Sequence, residues 1–155
     1  MALQVRPAKE ADFPAIEAMV IASFEPITWA RTLDLRVGPL NGVDWRERWR
    51  DRLQKVFSGQ IVLAGENEQE LVAASTSTFD QRTALAYIDI LAVAPEQQRC
   101  GYGREMLRAT MAYLKSIGAQ YVNLDCLTGN DKANDLYEAE GFEEVARHIR
   151  WFRRL

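Results

Sequence analysis

Two glycines one residue apart, Gly101 and Gly103, lie just after an apolar run that ends at Val93 and a break at Pro95. A helical pattern starts behind them, so the stretch from Val93 to Leu107 reads as a strand, a tight loop and a helix N-terminus. Such a loop turns several backbone N–H groups toward one point, where the helix dipole adds positive potential, and small residues let an anion come close. The chemistry this predicts is phosphate binding. A Walker A loop is absent, because Gly103 is followed by Arg104 and Glu105 rather than Lys and a hydroxyl residue. A dinucleotide fingerprint wants a third glycine where Met106 stands, and no acidic ribose partner falls at the expected distance. Asp89 is the other conspicuous group, the one charge in the apolar run Leu85 to Val93. A carboxylate there is expensive unless paired, and burial raises its proton affinity. His148 is the only histidine, with no Ser or Cys placed to pair with it by sequence, and reads as structural or substrate-lining. Cys100 and Cys126 make neither a disulfide framework nor a zinc set, and no metal is expected. Cys126 reads as a buried strand residue.

These groups need elements to hold them. Leu3 to Arg6 alternates as a short strand and Pro7 ends it. Phe13, Ile16, Met19/Val20 and Phe24 share a helix face, with Asp12 as N-cap and Pro14 in the first turn. Residues 25–43 carry turn chemistry, with a short helical piece around Thr32. A connection of that length is often functional, and Trp29 within it either plugs the core or lines a pocket. Asp44 opens a capping box for a helix whose Trp45, Trp49, Leu53 and Val56/Phe57 face the core. Its cations, Arg46, Arg48, Arg50, Arg52 and Lys55, read as a solvated face. Ile61 to Ala64 is a strand, Gly65 to Glu70 a polar turn, and Leu71 to Phe79 a second strand. Leu85 to Val93 is a strand covered on both faces. The helix after the glycine turn runs to Ile117 and Gly118. Tyr121 to Cys126 is a strand, Asn130 or Asp131 caps a short helix through Tyr137, and Gly141 ends it. The last strand region starts at Phe142, and His148 to Leu155 is read as extended, a second edge strand. The order describes an α/β domain with a mixed sheet.

The bounds agree. The 155 residues suit one domain, residues 1–155, and 48% hydrophobic with 26% charged is ordinary for a globular protein. A net charge of −3 provides no global field for nucleic acid. No apolar run approaches the roughly 20 residues of a membrane helix, and the N-terminus lacks a signal-peptide core. The expected setting is cytoplasmic, with neither nucleic acid nor membrane as partner.

Two motifs together carry a resemblance. Gln98-Arg-Cys-Gly101-Tyr-Gly103 follows Val93-x-Pro95 and opens a helix. Asn130-x-x-Ala133-x-x-Leu136-Tyr137-Glu138-x-x-Gly141-Phe142 follows on the next strand-helix unit. The chain thus resembles the GCN5-related N-acetyltransferase superfamily (GNAT). The resemblance implies an acyl-CoA N-acyltransferase fold, a mixed, mostly antiparallel sheet with splayed central strands flanked by helices. It implies acetyl-CoA as donor and CoA as product. Pyrophosphate would rest on the amides from Arg99 to Arg104, covering Cys100, Gly101, Tyr102 and Gly103, with Gln98 preceding them. The pantetheine arm would run beside Leu91, Ala92 and Val93, and a backbone N–H near Leu91 would serve the oxyanion. Asn130 and Ala133 would face the arm. Tyr137 stands where the family keeps the tyrosine that protonates the leaving thiolate.

Asp89 shares strand parity with Leu91 and Val93, which directs it into the cleft. Direct base, base through water and ion-pair partner for an Arg stay open for it, with Asp125 and Glu25 as weaker candidates for the base. The acceptor site is implied to lie on residues 25–43 and about 144–152, so Trp29, Arg31 and His148 are the substrate candidates. The C-terminal stretch lacks the long insertion and tyrosine pair of ribosomal-protein N-terminal acetyltransferases. The function expected is therefore direct acetyl transfer to a primary amine of a small or amino-acid-like molecule, with a protein amine second. A catalytically silent acyl-CoA-binding module is the alternative outside enzymes. The chain is expected as a monomer or homodimer.

Overall fold

Four antiparallel-compatible segments and one parallel one build the sheet of this computed structural model, which describes residues 2–155. The strands are β1 (Gln4–Pro7), β2 (Ile61–Asn67), β3 (Glu70–Asp80), β4 (Leu85–Val93) and β5 (Tyr121–Leu124), and their spatial order is the same as their chain order. β1 to β4 pair antiparallel, and β5 joins β4 in parallel. The helices are α1 (Phe13–Phe24), α2 (Trp29–Val37), α3 (Trp45–Gly59), α4 (Tyr102–Ser116) and α5 (Asp131–Ala139). Residues through Asp125 form one compact unit, and Cys126–Leu155 form another. Among the described residues, no helix is long and apolar enough to cross a membrane.

In the larger unit the strands are covered on both faces, as the apolar character of β4 requires. Ile90 and Ala92 of β4, with Val62 and Ala74, pack against Ile16 and Val20 of α1 and Trp49, Leu53 and Phe57 of α3. Leu91 and Val93 point the other way, toward Leu63, Ala73 and Met106 of α4. Ser75 and Thr110 bond across that second face at 2.7 Å, and Thr110 also donates to the Met106 carbonyl, so these two buried hydroxyls are matched.

β4 occupies Leu85–Val93 as the sequence predicts. Elsewhere the structure differs in instructive ways. The expected polar turn at 65–70 is mostly strand: β2 continues to Asn67, and only Glu68 (φ 49°) and Gln69 (φ 70°) turn. Two left-handed residues make a hairpin whose twist suits the strands, without the glycine that usually announces it. Gly65 serves another purpose, since a Cβ there would lie 3.0 Å from the Met106 sulfur and 3.2 Å from the Ala73 Cβ. Residues 25–43 contain a nine-residue helix, α2. Thr28 caps it, and Asp34 accepts from the Trp45 N–H (2.7 Å) and from Arg48 (2.9 Å). Tertiary polar ties, not propensity, hold this helix.

Asp12 makes no cap bond at α1. Its carboxylate turns back to the Lys9 N–H (2.6 Å) and forks Arg6 (2.8 and 3.1 Å). Asp44 does cap α3, accepting from the Glu47 N–H at 2.9 Å. The expected strands from Phe142 and over His148–Leu155 are absent among the described residues: 142–155 carry neither strand nor helix, and Val145, Ile149 and Trp151 are exposed. A strand needs a neighbour to receive its N–H and C=O groups, and none of the five strands pairs with these residues.

The hydrogen bonds from Arg6, then the Lys9 N–H, bring the Asp12 carboxyl down to about 2 from its ordinary 3.8. Its stabilising contribution is therefore complete above pH 4 and disappears as pH falls through about 2. Asp12→Asn is expected to cost stability at neutral pH, and urea titrations should show the gap to wild type closing between about pH 4 and pH 2.

Candidate active site

The glycine turn has the geometry its residues call for. β4 ends at Val93, a single 3-10 turn covers Pro95–Gln97, and α4 begins at Tyr102. Between them Arg99 (φ 67°) and Gly101 (φ 86°) are left-handed. Alternating handedness turns successive amides to one side and makes a concave anion seat. Gly101 is the N-cap of α4 and brings no side chain to cap it. The first helical bond runs from the Glu105 N–H to the Gly101 carbonyl, so the first-turn amides, Tyr102 and Gly103 among them, precede the bonded ladder. A Cβ built on Gly101 meets nothing within 4 Å, so the space in front of the turn is open.

Side chains fix this turn from behind. Tyr102 is buried, and its hydroxyl accepts from Asn67 Nδ2 at 2.7 Å, tying the helix start to the end of β2. Tyr102 therefore offers its amide to the seat and its ring to the core. Gln98 donates from Nε2 to the Val93 carbonyl (3.3 Å), closing the loop on the strand that feeds it. Arg99, Cys100 and Arg104 are exposed around the rim.

β4 and β5 pair only over Leu85–Ile88 and Tyr121–Leu124. Beyond Ile88, the edge of β4 away from β3 has no β5 partner, and Leu91, Ala92 and Val93 lie on that edge. This is the splay that the resemblance implies. At its mouth the strand is irregular. Thr76 pairs with Ile90 and Ser77 with Ile88, which leaves Asp89 as the extra residue of a bulge. The bulge breaks the alternation that directs Asp89 to the Leu91 side. Its carboxylate instead accepts from Arg52 of α3 (2.6 Å) and from Gln60 Nε2 (2.9 Å). Of the three roles open to Asp89, ion-pair partner is the one its contacts display. Arg52 also lies 4.7 Å above the Trp49 ring, which holds the guanidinium in place.

Tyr87, two residues before Asp89, escaped weight in the sequence, and it meets Asp125, a candidate named for the base. Tyr87 donates from its hydroxyl to Asp125 Oδ2 at 3.1 Å. Burial, and then the Asp125 charge, push the Tyr87 phenol up to about 12. The contact between Tyr87 and Asp125 needs the register of β4 with β5 to be seen.

In the smaller unit, Asn130 stands at the N-cap of α5, with Asn130 and Ala133 half-buried. Asn134 Nδ2 donates to the Leu127 carbonyl (2.9 Å) and secures the approach to the helix. Tyr137 meets Phe142 edge-on, with centroids 5.8 Å apart. Burial, and next Cys126, push its phenol up to about 12. Of the acceptor candidates, Trp29 opens α2 with 44% of its surface exposed, Arg31 is half-buried two residues on, and His148 is exposed on the irregular C-terminal stretch.

A family model described as the acetyltransferase (GNAT) family matches residues 27–142. Among solved structures, an aminoglycoside acetyltransferase from an uncultured soil metagenomic sample is 23% identical, with TM-score 0.65 over 99% of this chain and 96% of that one. The ribosomal-protein-S18-alanine N-acetyltransferase from Escherichia coli is 19% identical, with TM-score 0.69 over 93% and 79%. A GNAT family acetyltransferase from Brucella melitensis, in complex with acetyl-CoA, is 16% identical, with TM-score 0.66 over 92% and 83%. No curated protein sequence matches the chain. At these identities the structural likeness carries the fold.

The Asp89 side chain is 11% exposed and the Arg52 side chain 45%, whereas Arg46 and Glu25 are both 41% exposed. Each arginine also covers a tryptophan ring. Arg52→Ala strands a nearly buried carboxylate and is expected to cost about 1–3 kcal/mol, while Arg46→Ala stays within about 1 kcal/mol. Urea unfolding of the two variants checks the difference.

Proposed function

Because the chain belongs to the acetyltransferase (GNAT) family, whose model covers residues 27–142, we propose that it transfers acetyl from acetyl-CoA to the primary amine of a small, cationic or amino-acid-like molecule. The observation that carries the donor half is the left-handed pair Arg99 and Gly101 opening α4, with unfilled space before Gly101. That turn fits a pyrophosphate: the amides supply donors, the helix end supplies potential, and the missing Cβ permits approach. Arg99 and Arg104 add charge at the rim. The unpaired edge of β4 at Leu91, Ala92 and Val93 suits an amide-bearing arm that adds like a strand, and an N–H near Leu91 serves the carbonyl oxygen. Asn130 and Ala133 are proposed to face the same arm. Residues 1–155 are read as one acetyltransferase domain.

Acetyl-CoA supplies an activated carbonyl and a thiolate leaving group. The chain must stabilise the charge on both and accept protons from the amine. Tyr137 is the proposed donor to the sulfur. Its phenol, raised to about 12, remains protonated at pH 7. A free thiol titrates near 8.5, so complete transfer from that phenol to the thiolate is uphill. The burial of Tyr137 therefore favours hydrogen-bond donation as charge develops on sulfur, with the thiol's final proton coming from the amine nitrogen. Trp29, Arg31 and His148 remain the proposed acceptor-side residues.

The aminoglycoside acetyltransferase among the similar structures supports a small polyamine acceptor. The likeness to the Escherichia coli ribosomal-protein enzyme favours a protein amine as the second reading. Thiol release from acetyl-CoA, measured against aminoglycosides, polyamines, amino acids and peptides, tests both.

Tyr137→Phe is expected to lower kcat at least about tenfold while CoA affinity moves less than about twofold, the ratio expected of a group used in the transition state. Unchanged turnover removes Tyr137 from this role. Gly101→Val places a β-branched side chain at φ 86° and fills the space before the amides. Calorimetry is expected to show no CoA binding by this variant, with β4 and α4 still formed by circular dichroism; normal CoA affinity sinks the assignment of the turn.

A further inference from the structure

α4 starts without a side-chain cap. Gly101 stands at its N-cap, and the first bond of the ladder runs from the Glu105 N–H to the Gly101 carbonyl. A helix end of that kind frays, because its leading amides have no partner within the helix to fix their direction. The amides of Tyr102 and Gly103 belong to this end, and a frayed turn presents no fixed donors. What holds it must come from outside the helix.

Two hydrogen bonds do so, and both reach past β4 and β3 to the far strands of the sheet. Tyr102 is 7% exposed, and its hydroxyl accepts from Asn67 Nδ2 at 2.7 Å. Asn67 is the last residue of β2 and pairs with Glu70 across the left-handed Glu68 and Gln69, so the hairpin register fixes its position. Further into α4, Glu105 Oε2 accepts from the Leu3 N–H at 2.7 Å, just ahead of β1. Next to Glu105, Met106 is fully buried against Leu63 and Ala73, over Gly65, where no Cβ intervenes. The registers set Val93, Ala73, Gly65 and Val5 in one row across four strands. The start of α4 is thus fastened over the row in which β4 ends, by groups two and three strands away from β4.

Resting on the acetyltransferase reading and its pyrophosphate seat, we infer that Asn67 is a positioning residue for the donor. By holding the Tyr102 hydroxyl it keeps the Tyr102 and Gly103 amides aimed at the pyrophosphate, so a residue of the β2–β3 hairpin sets the affinity for acetyl-CoA. The Leu3 tie serves the same end, since it steadies the turn and engages a first-turn carboxylate whose charge opposes an anion at the helix start.

The test applies CoA calorimetry to wild type, Asn67→Ala, Asn67→Asp, Tyr102→Phe, the double variant Asn67→Ala/Tyr102→Phe and Ser75→Ala, each checked for folding by circular dichroism. Amide hydrogen exchange of α4 is followed in the same proteins without CoA. Asn67→Ala and Tyr102→Phe are each expected to weaken CoA about tenfold, the scale of one lost hydrogen bond, and to speed exchange at the Glu105 N–H. The double variant is expected within about twofold of either single one, because both remove the same contact. Asn67→Asp is expected within about threefold of wild type, since a phenol hydroxyl donates as well as accepts. Ser75→Ala removes the bond to Thr110 further along α4 and is expected to lower stability while CoA affinity moves less than about twofold. Wild-type CoA affinity in Asn67→Ala and Tyr102→Phe overturns the inference. So does a loss of affinity in Ser75→Ala equal to theirs, which marks general loosening of the helix. Tyr102→Phe keeps the buried ring and carries the test alone if Asn67→Ala does not fold. A wild type that binds no CoA overturns the donor reading and this inference with it, whereas unchanged Glu105 exchange in Asn67→Ala and Tyr102→Phe overturns the tie alone.

Discussion

Half of β4 has a partner on only one edge. Along Leu85–Ile88 the strand is bonded on both sides, and from Asp89 onward the β5 side is left open. Backbone N–H and C=O groups that lose a ladder must find other partners, and this demand organises the larger unit. It explains why the open half must stay rigid without β5. Ile90 and Ala92 are clamped by α1 and α3, Leu91 and Val93 by α4, and the Val93 carbonyl receives the Gln98 side chain. A strand packed this tightly on both faces is held in place even where its second edge has no β5 partner. The glycine turn then follows directly from that edge and opens α4.

The bulge at Asp89 is the second consequence of the same opening. A regular strand would point Asp89 at the α4 face, among Leu91, Val93 and Met106, where an unpaired carboxylate would be costly. The extra residue turns it to α3, where Arg52 and Gln60 meet it. The irregularity therefore removes a buried charge from an apolar layer and gives it a cation on the other face. Arg52, which periodicity assigns to a solvated face, is half on that face and half in this pairing.

Much of the fold was legible because it rests on local pattern. The apolar run of β4, the Trp45-Trp49-Leu53 stripe of α3 and the glycine turn into α4 were readable from residue types alone. The Asn130 to Phe142 stretch completed the family resemblance, and the match over residues 27–142 bears it out. What escaped depends on contacts between distant residues. α2 is held by Thr28, Asp34 and Arg48, ties that span 11 to 21 residues of sequence. The hairpin at Glu68-Gln69 uses left-handed residues that no glycine marks. The parity of Asp89 follows the register with β3, and alternation counted along one strand cannot reveal a bulge. The C-terminal residues alternate like a strand, yet pattern alone gives a strand no partner.

The attachment of α2 has a consequence for how such a chain can change over time. Ala30 is the one buried residue of that helix, and its hold on the rest is polar: a threonine cap, an indole donor and a carboxylate shared by a guanidinium and an amide. Its outward positions, Leu35 and Arg36 among them, can be exchanged without opening a cavity. The strand edge and the glycine turn enjoy no such freedom, since Gly65, Met106 and Tyr102 interlock behind them. Drift is thermodynamically cheap on the outward face of α2, and expensive beneath the glycine turn. A lineage built on this plan can therefore turn over the outward face of α2 quickly while the strand and turn stay fixed.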